Sequence, residues 1–303
     1  FESEDRLASI IQQIVAGCNR LVNEAVPIVD ARLPDGSRVN VVLPPVALDG
    51  PTMTIRKFPK EKMTMERLIE LGALDEEAAG FLKLLVKARY NIFVSGGTGA
   101  GKTTFLNALS DYIPKTERII TIEDSAELQL RDVENLVRME TRNSNVEGEN
   151  AITIRDLIKA SLRMRPDRVI VGEVRDSAAI DMLTAMNTGH DGSLSTGHAN
   201  SAYDMITRLE SMVLMGIELP MEAVRRQIAS AVDIIIHLGR LRDGSRKVTE
   251  ICEVTGIENG QVQLMSLYEF EEQAEKGRKT VQGHLKKKAA LQNKEKLKRA
   301  GLE

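Results

Sequence analysis

The chain has 303 residues and a formal charge of −3, enough length for one large core or two smaller ones and no global field to gather nucleic acid or membrane. No apolar run approaches the roughly 20 residues needed to cross a bilayer, no signal-peptide pattern is present, and the lack of Trp argues against a base-stacking platform for single strands. Cys18 and Cys252 fit no metal or redox spacing and read as reduced, partly buried thiols of a cytosolic protein.

Leu7, Ile10, Ile11, Ile14, Val15 and Cys18 recur at helical spacing behind Ser3, a candidate N-cap. Strands are predicted at 28–33 and 38–43, on either side of a Pro34-Asp35-Gly36 turn. A third, at 53–56, follows the breaks Pro44-Pro45 and Asp49-Gly50-Pro51. This α-then-β block is too short to be a nucleotide domain. Residues 1–57 therefore read as the C-terminal portion of a separate α+β domain, and 58–74 as a linker and leading helix. Phe1 in place of Met suggests a piece of a longer chain. Over 75–271 helices alternate with continuous apolar strands at 92–95, 118–122, 168–172 and 233–238. That alternation predicts an α/β domain with a parallel sheet covered by helices. Apolar runs at 248–254 and 261–264 around Glu258-Asn259-Gly260 predict a hairpin. Residues 272–303 form a basic tail with ten Lys/Arg against two acids from 276 onward, expected as a solvated or partly disordered extension. The pairs Met182/Met186 and Met212/Met215 are expected in the core.

The most informative stretch is Gly96-Gly97-Thr98-Gly99-Ala100-Gly101-Lys102-Thr103-Thr104, where Gly96, Gly101, Lys102 and Thr103 satisfy the phosphate-loop pattern in full. A buried strand precedes it and a helix beginning near Phe105 follows, which a chance glycine-rich turn would not provide. Glycines let the backbone aim its N–H groups at phosphate oxygens, and the new helix presents its positive end to the same anion. Lys102 would neutralise the β- and γ-phosphates and the Thr103 hydroxyl would ligate Mg²⁺. The chain is read as a nucleotide-binding protein. A GTPase is disfavoured, since no Asn-Lys-x-Asp segment follows the loop.

Two predicted strand ends deliver carboxylates: Glu123, Asp124 and Glu127 after one, Glu173 after another. An NTPase needs one carboxylate near Mg²⁺ and another to position or deprotonate the attacking water. Alone, either cluster is an ordinary solvated loop; both behind a phosphate loop point to catalysis. His190 and His198 fall within nine positions among glycines and hydroxyls. With only Asp191 beside them they do not form a metal set, and an imidazole near a γ-phosphate is the sharper reading.

The order of the phosphate loop, Thr121-Ile122-Glu123-Asp124, Arg165-Pro166-Asp167 through Gly172-Glu173-Val174-Arg175-Asp176, and Thr188-Gly189-His190 to His198 resembles the secretion ATPase superfamily of type II and type IV systems. These segments look like its Walker A, Asp box, atypical Walker B and His box. The segments 30–40 and 50–57, with Asn145-Val146-Glu147-Gly148, narrow the resemblance to the CpaF/TadA (Flp/Tad, type IVb) pilus-assembly branch. The resemblance implies a RecA-like ATPase domain behind a smaller α+β domain, with ATP and Mg²⁺ as ligands. It implies a cytoplasmic hexamer, peripheral on the membrane, that docks on inner-membrane platform proteins to drive pilus assembly or secretion. Carried over by position, Glu127 is the favoured water-activating base and Glu173 the carboxylate near Mg²⁺, though either could be the base. His198 matches the His-box residue nearest the γ-phosphate, with His190 its structural companion. Arg38 and Arg56 match first-domain arginines that reach the nucleotide, with a hinge around Lys57 to Lys62. A conjugation-type motor uses the same parts, and a nucleotide-gated binding module with little turnover is the reading from another class. Nucleic acid is disfavoured as a partner.

Overall fold

The computed structural model describes residues 1–18, 20–57, 62–130, 132–142, 150–273 and 280–303. The Asn145–Gly148 segment and most of the expected hinge fall outside the described residues. The chain divides into two units, Phe1–Lys62 and Met63–Glu303.

In the first unit α1 (Glu4–Gly17) begins where the Ser3 hydroxyl accepts the Arg6 N–H, an N-cap that satisfies one open donor of the first turn. Its apolar stripe buries Ile11 and Val15 against Ala31, Val39 and Val41 of a three-stranded antiparallel sheet. The strands are β1 (Ile28–Arg32), β2 (Arg38–Val42) and β3 (Thr52–Arg56). In the turn between β1 and β2, Asp35 accepts the Ser37 N–H at 2.9 Å and Gly36 takes φ 88°, a left-handed value natural to glycine.

The second unit opens with α2 (Met65–Glu70) and α3 (Glu76–Lys87), then β4 (Ile92–Gly96), α4 (Lys102–Ser110), β5 (Arg118–Glu123) and β6 (Asn135–Glu140). Next come α5 (Ile154–Ser161), β7 (Arg168–Val171), α6 (Ala178–Asn187), β8 (Leu194–His198), α7 (Ala202–Leu214) and α8 (Met221–Ala231). β9 (Ile234–Arg240), β10 (Arg246–Glu258), β11 (Gln261–Glu272), β12 (Gly283–Lys287) and α9 (Glu295–Arg299) close the chain. The nine strands form one sheet in the order β12-β11-β10-β9-β4-β8-β7-β5-β6. From β9 to β6 the neighbours run parallel; from β9 to β12 they run antiparallel. Val94, Ile119, Ile170 and Ile236 face the layer of α2, α3, α4 and α9. Phe93, Ile120, Val169 and Ile235 face that of α5 to α8. A sheet covered on both sides needs strands apolar on both sides, which explains the continuous Ile and Val runs. The fold is the α/β class expected, with a parallel core. No helix among the described residues is long and apolar enough to cross a membrane.

The hairpin between β10 and β11 turns on Asn259 and Gly260 at φ 51° and 72°, the positive values that a tight primed turn requires. Three strands were not anticipated. β6 lies at the sheet edge with mixed polarity, β12 comes from the basic tail, and β8 reads Leu-Ser-Thr-Gly-His yet sits between β4 and β7. It tolerates that position because Ser195 donates to the Val171 carbonyl and Thr196 to that of Gly172. Small hydroxyls satisfied in this way carry little cost inside a sheet. Met182, Met186 and Met212 are core residues as expected, whereas Met215, at the C-cap of α7, is exposed.

The tail corrects its expectation: its described part is folded against the sheet. β12 pairs with β11, placing Leu285 opposite Phe270, and Leu285, Leu291 and Leu297 are buried in the core. The Tyr90 hydroxyl donates to the Asn293 carbonyl at 2.6 Å, and Glu253 accepts the Gln292 and Asn293 N–H groups. Lys296 bridges Asp191 and Asp233, each at 2.7 Å. Burial pushes Asp233 up toward its neutral form, and Lys296 opposes that shift. Replacing Lys296 with Ala strands Asp233 in a mostly buried setting. We expect unfolding free energy to fall by about 2 kcal/mol, below the value for a fully buried pair because Asp191 is partly solvated. Urea denaturation measures this loss.

Candidate functional site

β4 runs into the glycine loop and α4 begins at Lys102. A Cβ on Gly96 would lie 2.6 Å from the Leu238 carbonyl oxygen, so only glycine fits where β4 meets β9. Gly99 and Gly101 hold φ 73° and 93°, turning the chain sharply into the helix. No side chain caps α4, which leaves its first-turn N–H groups for a ligand and makes an anion site of the helix start. Gly97, Thr98, Gly99 and Thr104 are exposed, Gly101 and Thr103 half-buried, and Ala100 buried. Arg246, at the start of β10, donates to the Gly99 carbonyl at 2.6 Å and ties down the loop tip.

Lys102 is buried and folds back over the loop, donating to the carbonyls of Gly96 and Gly97, each at 3.1 Å. Its Nζ also lies 3.1 Å from His198 Nδ1. Because an ammonium can only donate, Nδ1 is the acceptor, and the neutral ring carries its proton on Nε2. Nε2 approaches Glu173 Oε1 to 2.8 Å, but off the axis of a hydrogen bond, so this buried oxygen has no aligned donor. Burial holds His198 below its ordinary pKa; Glu173 opposes, while Lys102 and Arg175 add to the lowering. Burial lowers Lys102 as well, again against Glu173.

The other Glu173 oxygen, Oε2, accepts from Arg175 Nε at 2.8 Å and Nη2 at 2.6 Å. Arg175 Nη1 stands 3.7 Å from Asp124, and the charges of Glu173, Asp124 and Glu127 all stabilise its cationic form. Arg175 thereby gathers the two carboxylate clusters. His198 and Glu173 come from the ends of β8 and β7, and Lys102 from the start of α4, across the loop that leaves β4; β4, β8 and β7 are neighbours in that order. Glu127 lies on the segment after β5, where the Asn107 side chain donates to its carbonyl at 3.4 Å. Glu123, the last residue of β5, is buried, and burial pushes its carboxyl up to about 7 against the pull of two backbone N–H groups.

The sequence named Glu123 without a role and gave none to Arg175 or Arg246. Each acts across strands, which linear spacing does not show. His190 sits at the opposite end of β8 from His198, its Nδ1 3.2 Å from the Ala185 carbonyl. In the first unit Arg38 and Arg56 are cross-strand partners, and Arg32 pairs with Arg38 in the same row. Directly opposed residues share a sheet face, so Arg32, Arg38 and Arg56 stand in one row across β1, β2 and β3.

An open cavity of about 390 Å³ adjoins the loop tip, lined by Gly97, Thr98, His198, Asn200 and Arg208 among others. It leaves room beside the loop on the His198 side.

The sequence pattern of the family described as "Type II/IV secretion system protein" is matched over residues 1–300. The chain is 35% identical over 250 residues to the conjugal transfer protein TrbB of Rhizobium radiobacter, which covers 81% of this chain and 73% of that one. It is 35% identical over 280 residues to the type IV secretion system protein PtlH of Bordetella pertussis, covering 84% and 82%. The crystal structure of the VirB11 ATPase from the Brucella suis type IV secretion system, in complex with sulphate, superposes with a TM-score of 0.54. It is 31% identical, over 82% of this chain and 80% of that chain. These relatives carry conjugal-transfer and type IV secretion names, not those of the narrower Flp/Tad pilus branch. With phosphate loop, carboxylate-bearing strand ends and His198 all in place on this sheet, the chain belongs to the type II/IV secretion system protein family.

Proposed function

We propose that the protein is a Mg²⁺-dependent ATPase motor of a conjugation-type or other type IV secretion apparatus. In this reading it works as a hexamer of identical subunits on the cytoplasmic face of the inner membrane, against platform proteins there. The convergence of His198 and Glu173, at neighbouring strand ends, on Lys102, which opens a helix with no side-chain cap, carries the reading. The loop from Gly96 to Thr104 would hold the phosphates, with Lys102 exchanging its carbonyl partners for phosphate oxygens. Buried Glu173 Oε1, lacking an aligned donor, and Thr103, in the first turn of α4, fit a magnesium ion, which when bound would neutralise charge on the phosphates. Glu127 is assigned the water-activating base and His198 the place nearest the γ-phosphate; Glu173 is the other candidate base.

Arg38 and Arg56 are assigned to discrimination between ATP and ADP, because a guanidinium fork grips phosphate oxygens bidentately while staying charged. Arg56→Ala, and less so Arg38→Ala, should weaken the preference for ATP and slow turnover while ADP still binds. Titrations of both nucleotides check this; unchanged preference and rate in both variants would remove these arginines from the site.

Conjugation-type relatives favour this reading over a Flp/Tad pilus motor, which rests on the segments 30–40 and 50–57. Disrupting the gene in its host separates the two. Loss of DNA transfer or protein secretion supports the first, whereas loss of surface pili with both processes intact supports the second. A binding module without turnover is disfavoured by the two carboxylate clusters that Arg175 joins.

A further inference from the structure

Glu123 is the most deeply buried carboxylate near the phosphate loop, at 3% exposure. Burying such a group away from water is expensive unless it makes hydrogen bonds. Those it makes are specific. Oε2 accepts the N–H of Glu127 at 2.7 Å and of Leu128 at 2.8 Å, so the chain after β5 curls back onto the carboxylate that ends the strand. The rest of the side chain rests on the end of β7. A Cβ on Gly172 would lie 2.9 Å from Glu123 Cγ, so the glycine makes room for it, and the next residue is Glu173. The Gly172 N–H donates to the Ile122 carbonyl at 2.8 Å, which fixes the distance between the two strand ends. From the other side, Asn107 of α4 accepts the Gln129 N–H at 2.8 Å and donates to the Glu127 carbonyl. The backbone of Glu127 is thereby clamped between Glu123 and the helix that begins with Lys102.

We propose that Glu123 is a positioning residue for hydrolysis: its buried carboxylate sets the Glu127 backbone against the Glu173 strand end and acts only through Glu127. The inference rests on the ATPase reading above. Glu123 is poorly placed to be the base itself, since one oxygen is occupied twice and the other is buried away from solvent. Glu127, by contrast, is half-buried and retains a route to water.

The experiment compares Glu123→Ala, Glu123→Gln, Glu127→Gln and the Glu123→Ala/Glu127→Gln double variant in the full chain, measuring kcat, KM for ATP and ATP affinity. Losing the clamp should cost Glu123→Ala roughly 10²-fold in kcat, the order expected for about 1 Å of misplacement. ATP affinity should stay within about twofold, because the phosphate loop is untouched. Glutamine still offers an oxygen to both N–H groups, so Glu123→Gln should recover to within about threefold of wild type. The double variant should be no slower than Glu127→Gln, as expected when one residue works through the other. The proposal is overturned if Glu123→Ala turns over at the wild-type rate, if Glu123→Gln is as slow as Glu127→Gln, or if the losses add in the double variant. Should the alanine variant fail to fold, Glu123→Gln decides alone. A wild-type chain without turnover would instead count against the ATPase reading.

Discussion

Lys102→Ala is expected to lose nearly all measurable affinity for ATP. The side chain is buried, folded over the loop, and bound to two carbonyls and the His198 ring. Those neutral acceptors hold the cation in place without consuming its charge, so it is preorganised for an incoming anion. Truncating one partner of a buried charge pair costs about 2–5 kcal/mol, which corresponds to roughly 30-fold to several thousand-fold in affinity. His198 would lose its Nδ1 donor as well, releasing the ring from its fixed tautomer. Isothermal titration with ATP reads the change, and thermal unfolding of the unliganded variant checks that the fold survives. Near-normal affinity in a folded variant would remove the loop from phosphate binding.

The second large effect is on rate. Glu173→Gln and Glu127→Gln should each leave ATP binding largely intact while slowing hydrolysis by roughly 10²-fold or more, the range for losing a positioned base or a charge stabiliser. For Glu173 the loss has a second route. Its Oε2 holds Arg175 through two hydrogen bonds, and a neutral amide would loosen that arginine from the cluster of Asp124 and Glu127. The two variants also assign the base. In single-turnover experiments, raised Mg²⁺ should partly restore a residue that acts through the metal and do nothing for the base. Wild-type rates in both variants would refute these catalytic roles.

The parts of the site visible in the sequence are those fixed by local spacing. Gly96, Gly101, Lys102 and Thr103 must follow one another closely because one turn of backbone surrounds one phosphate, so the pattern is written within a few residues. Glu127 and Glu173 follow strands whose Ile and Val runs are plain, so their place at strand ends was readable too. β8 was not, because its burial is supported by Ser195 and Thr196 donating to carbonyls of the adjoining segment, and hydroxyls in sequence resemble a loop. The tail misled for a related reason. Its buried residues, Leu285, Leu291 and Leu297, are sparse among lysines that, Lys296 apart, are exposed, so no helical or strand period emerges. Arg175, Arg246 and Glu123 gain their roles from neighbours on other strands, and the row Arg32, Arg38 and Arg56 depends on strand register. Neither is written in the spacing of residues along the chain.

Under the proposed function this site hydrolyses ATP. Steady-state phosphate release by the purified chain, with and without Mg²⁺ and alongside Lys102→Ala, tests it most directly. We predict turnover that requires Mg²⁺ and vanishes in the variant. Absence of turnover in an assembled, ATP-binding protein, or turnover that survives Lys102→Ala, would rule that function out.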